Sequence, residues 1–260
     1  MQGIKNSKGI NKILVLCLAG IGDTLMFTPA LRILRQELPL AQIEALVMPD
    51  GSKNLLECSP DVNRVIHWNF IQKGFFKSLK FCLKLRQNHY DVSLTAYPSN
   101  RYEYNMVSLL IGAKVRIGHQ YNVKCSYGTD PLAFHHRVRE SKENKRHNVE
   151  ENLKLLECLS IDPKRYAPHH LRLYLSQEDL TFAEQFLRQY RETKASLLIG
   201  IHPGSGETKN LHRKRWTVNN FAQLADSLIL SKNAQVFVFG GNNEKQLKRE
   251  LMQDMTQKPI

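Results

Sequence analysis

The sequence predicts an α/β protein built from two doubly wound units, of which the second is incomplete. Short apolar runs rich in Val, Ile and Leu alternate with longer amphipathic stretches through most of the 260 residues. This alternation is typical of parallel strands joined by crossover helices. The periodicity is lost between Ser160 and Pro168, where two prolines interrupt it. We therefore expect one unit over residues 1–175 and a second over residues 176–260.

The first unit contains five apolar segments with the length and composition of buried strands. They are Lys12–Leu18, Gln42–Val47, Asn63–His67, Asp91–Ala96 and Val115–Gly118. Apolar residues recur at helical spacing in four further segments. These are Thr24–Leu38, Phe75–Gln87, Tyr102–Ile111 and Val149–Leu159. The His- and Arg-rich stretch from Tyr121 to Glu151 lacks both patterns before the last helix begins, and we interpret it as a mobile basic loop.

The second unit repeats the alternation over a shorter length. Ser176 with Glu178 and Asp179 predicts the start of a helix that continues through Arg191. The elements after it are strand Ser196–His202, helix Thr217–Leu230, strand Gln235–Phe239 and helix Glu244–Met255. An independent doubly wound domain usually needs ~100 residues or more, so two strands and two helices leave a sheet edge without a neighbour. We expect either a truncated product or a partner that covers this edge.

The composition restricts the classes of partner. The chain has 37 Lys and Arg against 24 Asp and Glu, a formal charge of +13, which favours anions such as nucleotide phosphates, phosphorylated glycans or acidic lipid head groups. Five cysteines without a CxxC pair indicate neither a disulfide framework nor a zinc site, and they fit a reducing cytosol. The apolar run from Ile13 to Ile21 is shorter than the ~20 residues that cross a bilayer. Any membrane contact is therefore expected to be peripheral.

A glycine-containing turn, AGIGDTL, follows the first predicted strand. Gly20 and Gly22 let a ligand approach the backbone at the carboxyl end of a strand, where open α/β sheets bind ligands. The dinucleotide fingerprint GxGxxG would need a third glycine where Leu25 stands, so a Rossmann dehydrogenase is not indicated. Asp23 has two interpretations. It is either a helix N-cap or a general base that takes a proton from an acceptor hydroxyl.

A second turn runs from Gly200 to Gly206 and precedes a basic cluster that includes Lys214 and Arg215. Small residues after a strand and cations before a helix favour anion binding, because backbone N–H groups, the helix dipole and a lysine act together. In a Walker A loop the lysine directly follows the last glycine, whereas Lys209 comes three residues after Gly206. The alternative interpretation is a solvated basic loop.

A third turn follows the last predicted strand and contains Gly240, Gly241 and Glu244. Glycines at this place permit close packing or the approach of a nucleotide, and Glu244 could accept hydrogen bonds from ribose hydroxyls. A glutamate at the start of a helix accounts for the same residue equally well.

Taken in order, three segments resemble glycosyltransferase family 9, the heptosyltransferase-like enzymes. They are GDTLMFTPAL at 22–31, HNVEENLKLLECL at 147–159, and PGSG followed by KRW within 203–216. The resemblance covers about Lys12 to about Glu250. It implies the two-domain GT-B fold of two Rossmann-like doubly wound domains, with the acceptor bound mainly by the N-terminal domain and the nucleotide sugar by the C-terminal one. It also implies inverting, metal-independent transfer of heptose from ADP-heptose to the inner core of lipopolysaccharide.

The resemblance assigns roles to individual residues. Asp23 falls on the base proposed for the family, and Gly20 and Gly22 fall in its acceptor-side loop. The cradle for the donor diphosphate is assigned to Gly204, Ser205, Gly206, Lys214 and Arg215. The ribose and nucleotide are assigned to Gly240, Gly241 and Glu244. No cofactor is implied, because the ADP-sugar is a substrate.

The sequence offers no candidate metal site. No DxD tripeptide occurs, and this tripeptide is the metal-binding diphosphate motif of the other large glycosyltransferase fold. Five histidines lack a carboxylate or cysteine at ligand spacing, and we interpret them as surface residues. They are His135, His136, His147, His169 and His170.

One departure from the family keeps a second function open. The later D-[ST]-G-x-x-H segment, which contacts the donor sugar and phosphates, has no counterpart in residues 1–260. The alternative is therefore a truncated, non-catalytic remnant that binds nucleotide or acceptor glycan only. Nucleic-acid binding is disfavoured, because no helix-turn-helix, aromatic stacking platform or zinc module is recognisable.

The expected partners are a nucleotide sugar and the lipopolysaccharide core or a related phosphorylated glycan. The expected location is the cytoplasm, with the cytoplasmic face of the inner membrane as a peripheral site.

Overall fold

The computed structural model describes residues 9–121, 128–141, 146–192, 197–205 and 215–257. It divides into two compact units, unit 1 (Met1–Leu175) and unit 2 (Ser176–Ile260). The roles that the sequence assigns to them, acceptor binding and nucleotide-sugar binding, stay predictions. Among the described residues, every helix is too short or too polar to reach across a bilayer.

Unit 1 is built on one six-stranded parallel sheet. Its strands are β1 Lys12–Cys17, β2 Gln42–Val47, β3 Arg64–His67, β4 Val92–Thr95, β5 Val115–Gln120 and β6 His136–Arg139. They lie in the order β3-β2-β1-β4-β5-β6, and every neighbouring pair is parallel. The order reverses between β1 and β4, so the sheet is doubly wound. The predicted α/β fold class is confirmed.

Helices cover both faces of this sheet. They are α1 Ile21–Leu25, α2 Thr28–Glu37, α3 Asp50–Glu57, α4 Phe70–Lys73, α5 Phe75–Arg86, α6 Tyr102–Ile111, α7 Asp130–Ala133 and α8 Asn148–Glu157. Ile13 and Val15 of β1 face the core packed by α2 and α8, whereas Leu14 and Leu16 face the core packed by α5 and α6. Because β1 is buried on both faces, its sequence is a continuous apolar run.

The prediction of a mobile loop from Tyr121 to Glu151 is wrong in its described part, which contains α7 and β6. Strand β6 pairs with β5 at the edge of the sheet, and Val138 is its one buried residue. An edge strand needs few apolar side chains and can carry charged ones that face solvent. The sequence of β6 therefore lacks the apolar run by which the other strands were predicted. Residues 122–127 and 142–145 lie outside the described residues.

The single helix predicted over Thr24–Leu38 is two helices in the structure, α1 and α2. The break falls at Met26 and Phe27. Pro29 lies in the first turn of α2, where backbone N–H groups have no partner within the helix, so its missing N–H costs no hydrogen bond. Helices α3 and α4 are additional to the prediction, because they bury too few apolar residues to show a helical stripe.

Unit 2 contains a two-stranded parallel sheet within its described residues. Its elements are α9 Gln177–Tyr190, β7 Leu197–Ile201, α10 Val218–Lys232, β8 Ala234–Val238 and α11 Lys245–Asp254. Each overlaps the predicted element. The core is small and includes Ile201, Val236 and Leu251, whereas Leu197 and Leu198 of β7 are exposed.

Candidate functional site

The strand order of unit 1 reverses between β1 and β4, and open α/β sheets bind ligands at the carboxyl ends of the strands beside such a reversal. The turn after β1 carries Gly20 and leads into α1, which contains Gly22 and Asp23. The turn after β4 carries Tyr97. The fold therefore brings Asp23 and Tyr97 to the same edge of the sheet.

Asp23 is the third residue of α1, and Gly20 is the N-cap. Oδ2 of Asp23 accepts a hydrogen bond from the Gly20 N–H at 3.0 Å, which satisfies a donor of the first turn and complements the helix dipole. The interpretation of Asp23 as the N-cap is therefore wrong, because Gly20 is the N-cap residue and Asp23 accepts a hydrogen bond from its N–H. Within the described residues no hydrogen bond engages Oδ1 of Asp23, so this oxygen is available to a ligand.

Contacts with α3 hold α1 in place. Thr24 is buried, and its Oγ1 lies 2.9 Å from Oγ of Ser52. Gly51 packs directly on Ile21, because a Cβ at position 51 would lie 2.3 Å from Cδ1 of Ile21. These contacts fix Asp23 relative to the edge of the sheet.

Tyr97 adds a half-buried phenol to this edge. Its O–H donates to Oε1 of Glu140 at 2.9 Å, and its backbone N–H donates to Oδ1 of Asn152 at 2.7 Å. Burial raises the pKa of the phenol, and the carboxylates of Glu140, Glu151 and Asp23 raise it further. The phenol therefore stays protonated at neutral pH and lies within electrostatic reach of Asp23.

A buried charged cluster, formed by His119, Arg146 and Glu151, adjoins Tyr97. The His119 Nε2 lies 3.2 Å from the backbone oxygen of Glu151 and 3.4 Å from its Oε2, and the Arg146 Nε lies 3.1 Å from Oε1. The Ser141 N–H also donates to Oε1 of Glu151 at 3.1 Å. Burial alone would raise the pKa of Glu151, but the nearby His119, the hydrogen bond from the Ser141 N–H and the nearby Arg146 hold it below its usual value. The rings of His119 and Tyr97 are in contact, with centroids 5.1 Å apart.

Sequence analysis does not identify Tyr97, Glu140, His119 or Glu151. A signal exists for Tyr97, because it directly follows a predicted strand at the end where ligands bind. No sequence signal exists for the pairing of His119 with Glu151, because 32 residues separate them and only the fold brings them together.

In unit 2, the turn after β7 joins two of the predicted phosphate-binding residues. The Arg215 Nε donates to Oγ of Ser205 at 2.9 Å, and a terminal nitrogen of the guanidinium donates to the Ser205 carbonyl oxygen at 2.7 Å. A guanidinium has five N–H donors, so this contact leaves others for an anion. Gly206 and Lys214, from the same prediction, lie outside the described residues.

The Glu244 carboxylate bridges the two strand ends of unit 2. Its Oε2 accepts from the Gly241 N–H at 2.7 Å and lies 3.3 Å from Nε2 of His202. A Cβ at Gly204 would lie 1.5 Å from Oε1, and a Cβ at Gly240 would lie 3.1 Å from Oε2. Three predicted glycines thus surround one carboxylate, which occupies the helix-start position.

Three solved structures show what the chain is similar to. The glycosyl transferase of family 9 from Veillonella parvula DSM 2008 matches with a TM-score of 0.76 and 21% identity, covering 96% of this chain and 68% of that one. The E. coli ADP-heptose lps heptosyltransferase II matches with a TM-score of 0.68 and 25% identity, covering 95% of this chain and 69% of that one. The E. coli heptosyltransferase WaaC with ADP matches with a TM-score of 0.62 and 16% identity, covering 96% of this chain and 75% of that one. These similarities confirm the predicted GT-B fold. A search of the curated proteins finds no match.

The model of glycosyltransferase family 9 (heptosyltransferase) matches residues 78–259, which is more than half of the chain. The matched range contains Tyr97, the buried charged cluster and the turns after β7 and β8, whereas Asp23 precedes it. The chain therefore belongs to glycosyltransferase family 9 and is a glycosyltransferase that resembles the heptosyltransferases.

Proposed function

We propose that this chain transfers heptose from ADP-heptose to the inner core of lipopolysaccharide or a related phosphorylated glycan, with inversion and without a metal ion. The observation that carries the proposal is the position of Asp23 at the carboxyl end of β1, beside the reversal of strand order. One oxygen of its carboxylate is held by Gly20, and the other has no hydrogen bond within the described residues. Two similar E. coli proteins, an ADP-heptose lps heptosyltransferase and a heptosyltransferase with ADP, support the donor and acceptor classes.

In this proposal Asp23 is the general base. Its free oxygen takes the proton of an acceptor hydroxyl while that hydroxyl oxygen bonds to the anomeric carbon of the heptose. The bond between this carbon and the diphosphate oxygen breaks, and its electron pair leaves with ADP. Because attack comes from the face opposite to the leaving ADP, the anomeric configuration inverts. A positioned base of this kind contributes about 10²–10⁴-fold to the rate.

Tyr97 and Glu140 are proposed to line the acceptor side together with Gly20 and Gly22. The protonated phenol of Tyr97 and the carboxylate of Glu140 already form a hydrogen bond at 2.9 Å, and both present oxygen atoms that suit sugar hydroxyls. The buried charged cluster packs against this pair, because the ring of His119 contacts the ring of Tyr97.

The donor is proposed to bind in unit 2. The guanidinium of Arg215, held by Ser205, and the turn that begins at Gly204 supply donors for the diphosphate. Gly206 and Lys214 are proposed to complete this cradle. Glu244 lies between the ends of both strands, where its carboxylate could accept from ribose hydroxyls beside Gly240 and Gly241.

The absence of a DxD tripeptide, the metal-binding diphosphate motif of the other large glycosyltransferase fold, supports metal-independent transfer. The cations of the cradle are proposed to neutralise the leaving diphosphate instead. The location is proposed to be the cytoplasm, with the cytoplasmic face of the inner membrane as a peripheral site.

The proposal is tested by incubating the full 260-residue chain with ADP-heptose and lipopolysaccharide from a heptose-deficient strain. Mass spectrometry should find one added heptose per acceptor, NMR should show an inverted anomeric centre, and EDTA should leave the rate unchanged. Calorimetry with ADP is run in parallel. Binding of ADP without transfer would support the alternative of a chain that binds nucleotide or acceptor only, and neither binding nor transfer would contradict both.

A further inference from the structure

Unit 1 exposes a contiguous apolar surface on the helices around β4. The side chains of Ile71, Phe75 and Phe76 are 78%, 73% and 83% exposed. Beside them lies a groove of about 320 Å³ between α5 and α6, whose lining includes Phe75, Leu79 and Met106. Isolated exposed apolar residues are ordinary, but a contiguous group of this kind marks an interaction site.

The charged side chains of α4 and α5 are all positive. The segment 70–86 contains four lysines, one arginine and no carboxylate. Lys80 and Lys84 follow Phe76 by one and two helical turns and share its outward face, opposite the buried Cys82. Within the described residues no carboxylate pairs with the three lysines of α5. The α6 side of the groove has one carboxylate, Glu103, which lies 3.4 Å from Arg101.

We propose that this surface, formed by α4, α5 and the start of α6, binds an anionic lipid bilayer. Exposed aromatic side chains beside lysines are the combination that lies at the boundary between lipid head groups and acyl chains. Each lysine near an anionic membrane surface adds to the attraction. Helix α5 has 12 residues, which at ~1.5 Å per residue is too short for the ~30 Å hydrocarbon core, so it lies along the surface.

The position of this surface fits an enzyme whose acceptor is anchored in lipid. Helices α5 and α6 each follow a strand, so both begin at the carboxyl edge of the sheet, where Asp23 lies. A protein bound through Phe75 and Phe76 would hold this edge next to the bilayer. The inference rests on the peripheral membrane location given under the proposed function and assigns it to a surface. Vesicle binding tests it separately from transfer, so either one can fail alone.

The test is co-sedimentation of the full chain with vesicles of phosphatidylcholine alone and with vesicles that contain about one third phosphatidylglycerol. The protein should bind the anionic vesicles, and binding should weaken when salt rises from about 0.1 M to about 0.5 M. Phe75→Ser/Phe76→Ser should lower the partition coefficient at least about ten-fold. Lys80→Gln/Lys84→Gln should lower it about five-fold for each lysine.

Matched controls separate this surface from general effects of charge and exposure. Leu40→Ser removes a side chain that is 98% exposed but lies in the turn before β2, at the opposite edge of the sheet. Lys154→Gln/Lys164→Gln changes the net charge equally at a different groove, which Lys154 of α8 and Lys164 of the short turn Pro163–Tyr166 both line. Both should bind like the wild type, and circular dichroism melts should show that every variant is folded.

Three results would overturn the inference. The first is equal binding to neutral and anionic vesicles. The second is unchanged binding by Phe75→Ser/Phe76→Ser. The third is a wild-type dimer that this double variant converts to a monomer in analytical ultracentrifugation, because the surface would then be a subunit interface.

Discussion

Replacing Glu151 by glutamine should strongly destabilise unit 1. The carboxylate is 2% exposed, and it contacts the Ser141 N–H, the Arg146 guanidinium and the His119 imidazole at 3.1, 3.1 and 3.4 Å. Glutamine has nearly the same shape, but its amide nitrogen donates hydrogen bonds and accepts none. One side of the buried charged cluster therefore loses its partner.

The magnitude follows from which contacts survive. Ser141 and Arg146 both contact Oε1, so the amide oxygen of glutamine can keep both contacts. The loss is that of the negative charge beside Arg146 and of the oxygen that faces His119. Hydrogen bonds to charged groups contribute about 1.5–3 kcal/mol each, and removing one partner of a buried ion pair costs about 3–5 kcal/mol. We expect the free energy of unfolding of unit 1 to fall by about 3 kcal/mol at neutral pH.

The pH dependence has a defined sign. The pKa of Glu151 is lowered in the folded state from its ordinary value of 4.5. The stabilisation from a depressed pKa is fully present above the unfolded-state value and is lost as the pH falls through the folded-state value. The difference in stability between the wild type and Glu151→Gln should therefore shrink as the pH is lowered below 4.5.

Urea unfolding followed by tryptophan fluorescence measures this difference. The chain has two tryptophans, and Trp216→Phe leaves Trp68, which stacks on Phe81 with ring centroids 4.1 Å apart, as a reporter for unit 1. Glu150→Gln in the same background is the matched control, because Glu150 is the exposed neighbour on α8. Stabilities of the two variants that agree within about 0.5 kcal/mol would refute the role given to the cluster.

Three further predictions test other parts of the structure. Gly118→Ala should destabilise unit 1 by about 1–3 kcal/mol in a thermal melt, because the added Cβ would lie 2.5 Å from ring atoms of the buried Phe134; a melt like the wild type's would contradict this packing. Arg215→Lys loses the two-pronged contact with the turn after β7 and should raise the KM for ADP-heptose about ten-fold, with a smaller effect on kcat; an unchanged KM would count against the diphosphate cradle. Cys58 is exposed, while burial raises the pKa of the other three described cysteines to about 11 or 12, so brief alkylation at neutral pH should modify Cys58 and spare those three in mass spectra.

The central part of the fold is predictable because its signal is local. A strand buried on both faces, such as β1, must be apolar at every position, and a strong apolar run is visible without knowing its neighbours. The edge strand β6 is hidden for the opposite reason, since Val138 alone is buried there and the charged residues around it look like a loop. The helix break at Met26 and Phe27 falls just before Pro29, which has no N–H with which to continue one helix, so this break had a local signal in the sequence that the apolar periodicity alone does not show.

The candidate site divides in the same way. Asp23 and the glycines of the turns are predictable, because a turn between a strand and a helix has a local sequence signature. The contact of Asp23 with Gly20 and the one between Arg215 and Ser205 span few residues, but their geometry depends on the conformation of each turn. The buried charged cluster could not be predicted, because His119 and Glu151 become partners only when α8 packs on the sheet.

The central claim is that Asp23 activates the acceptor, and single-turnover transfer by Asp23→Asn tests it most directly. An asparagine oxygen can still accept from the Gly20 N–H, so α1 should keep its cap, while the base is lost. The matched control is Asp179→Asn, because Asp179 makes the same third-residue contact with the N–H of its N-cap, Ser176, at 3.0 Å in unit 2. The account predicts that Asp23→Asn slows transfer about 10²–10⁴-fold with unchanged ADP affinity, while Asp179→Asn transfers at the wild-type rate. Transfer at the wild-type rate by Asp23→Asn would contradict it.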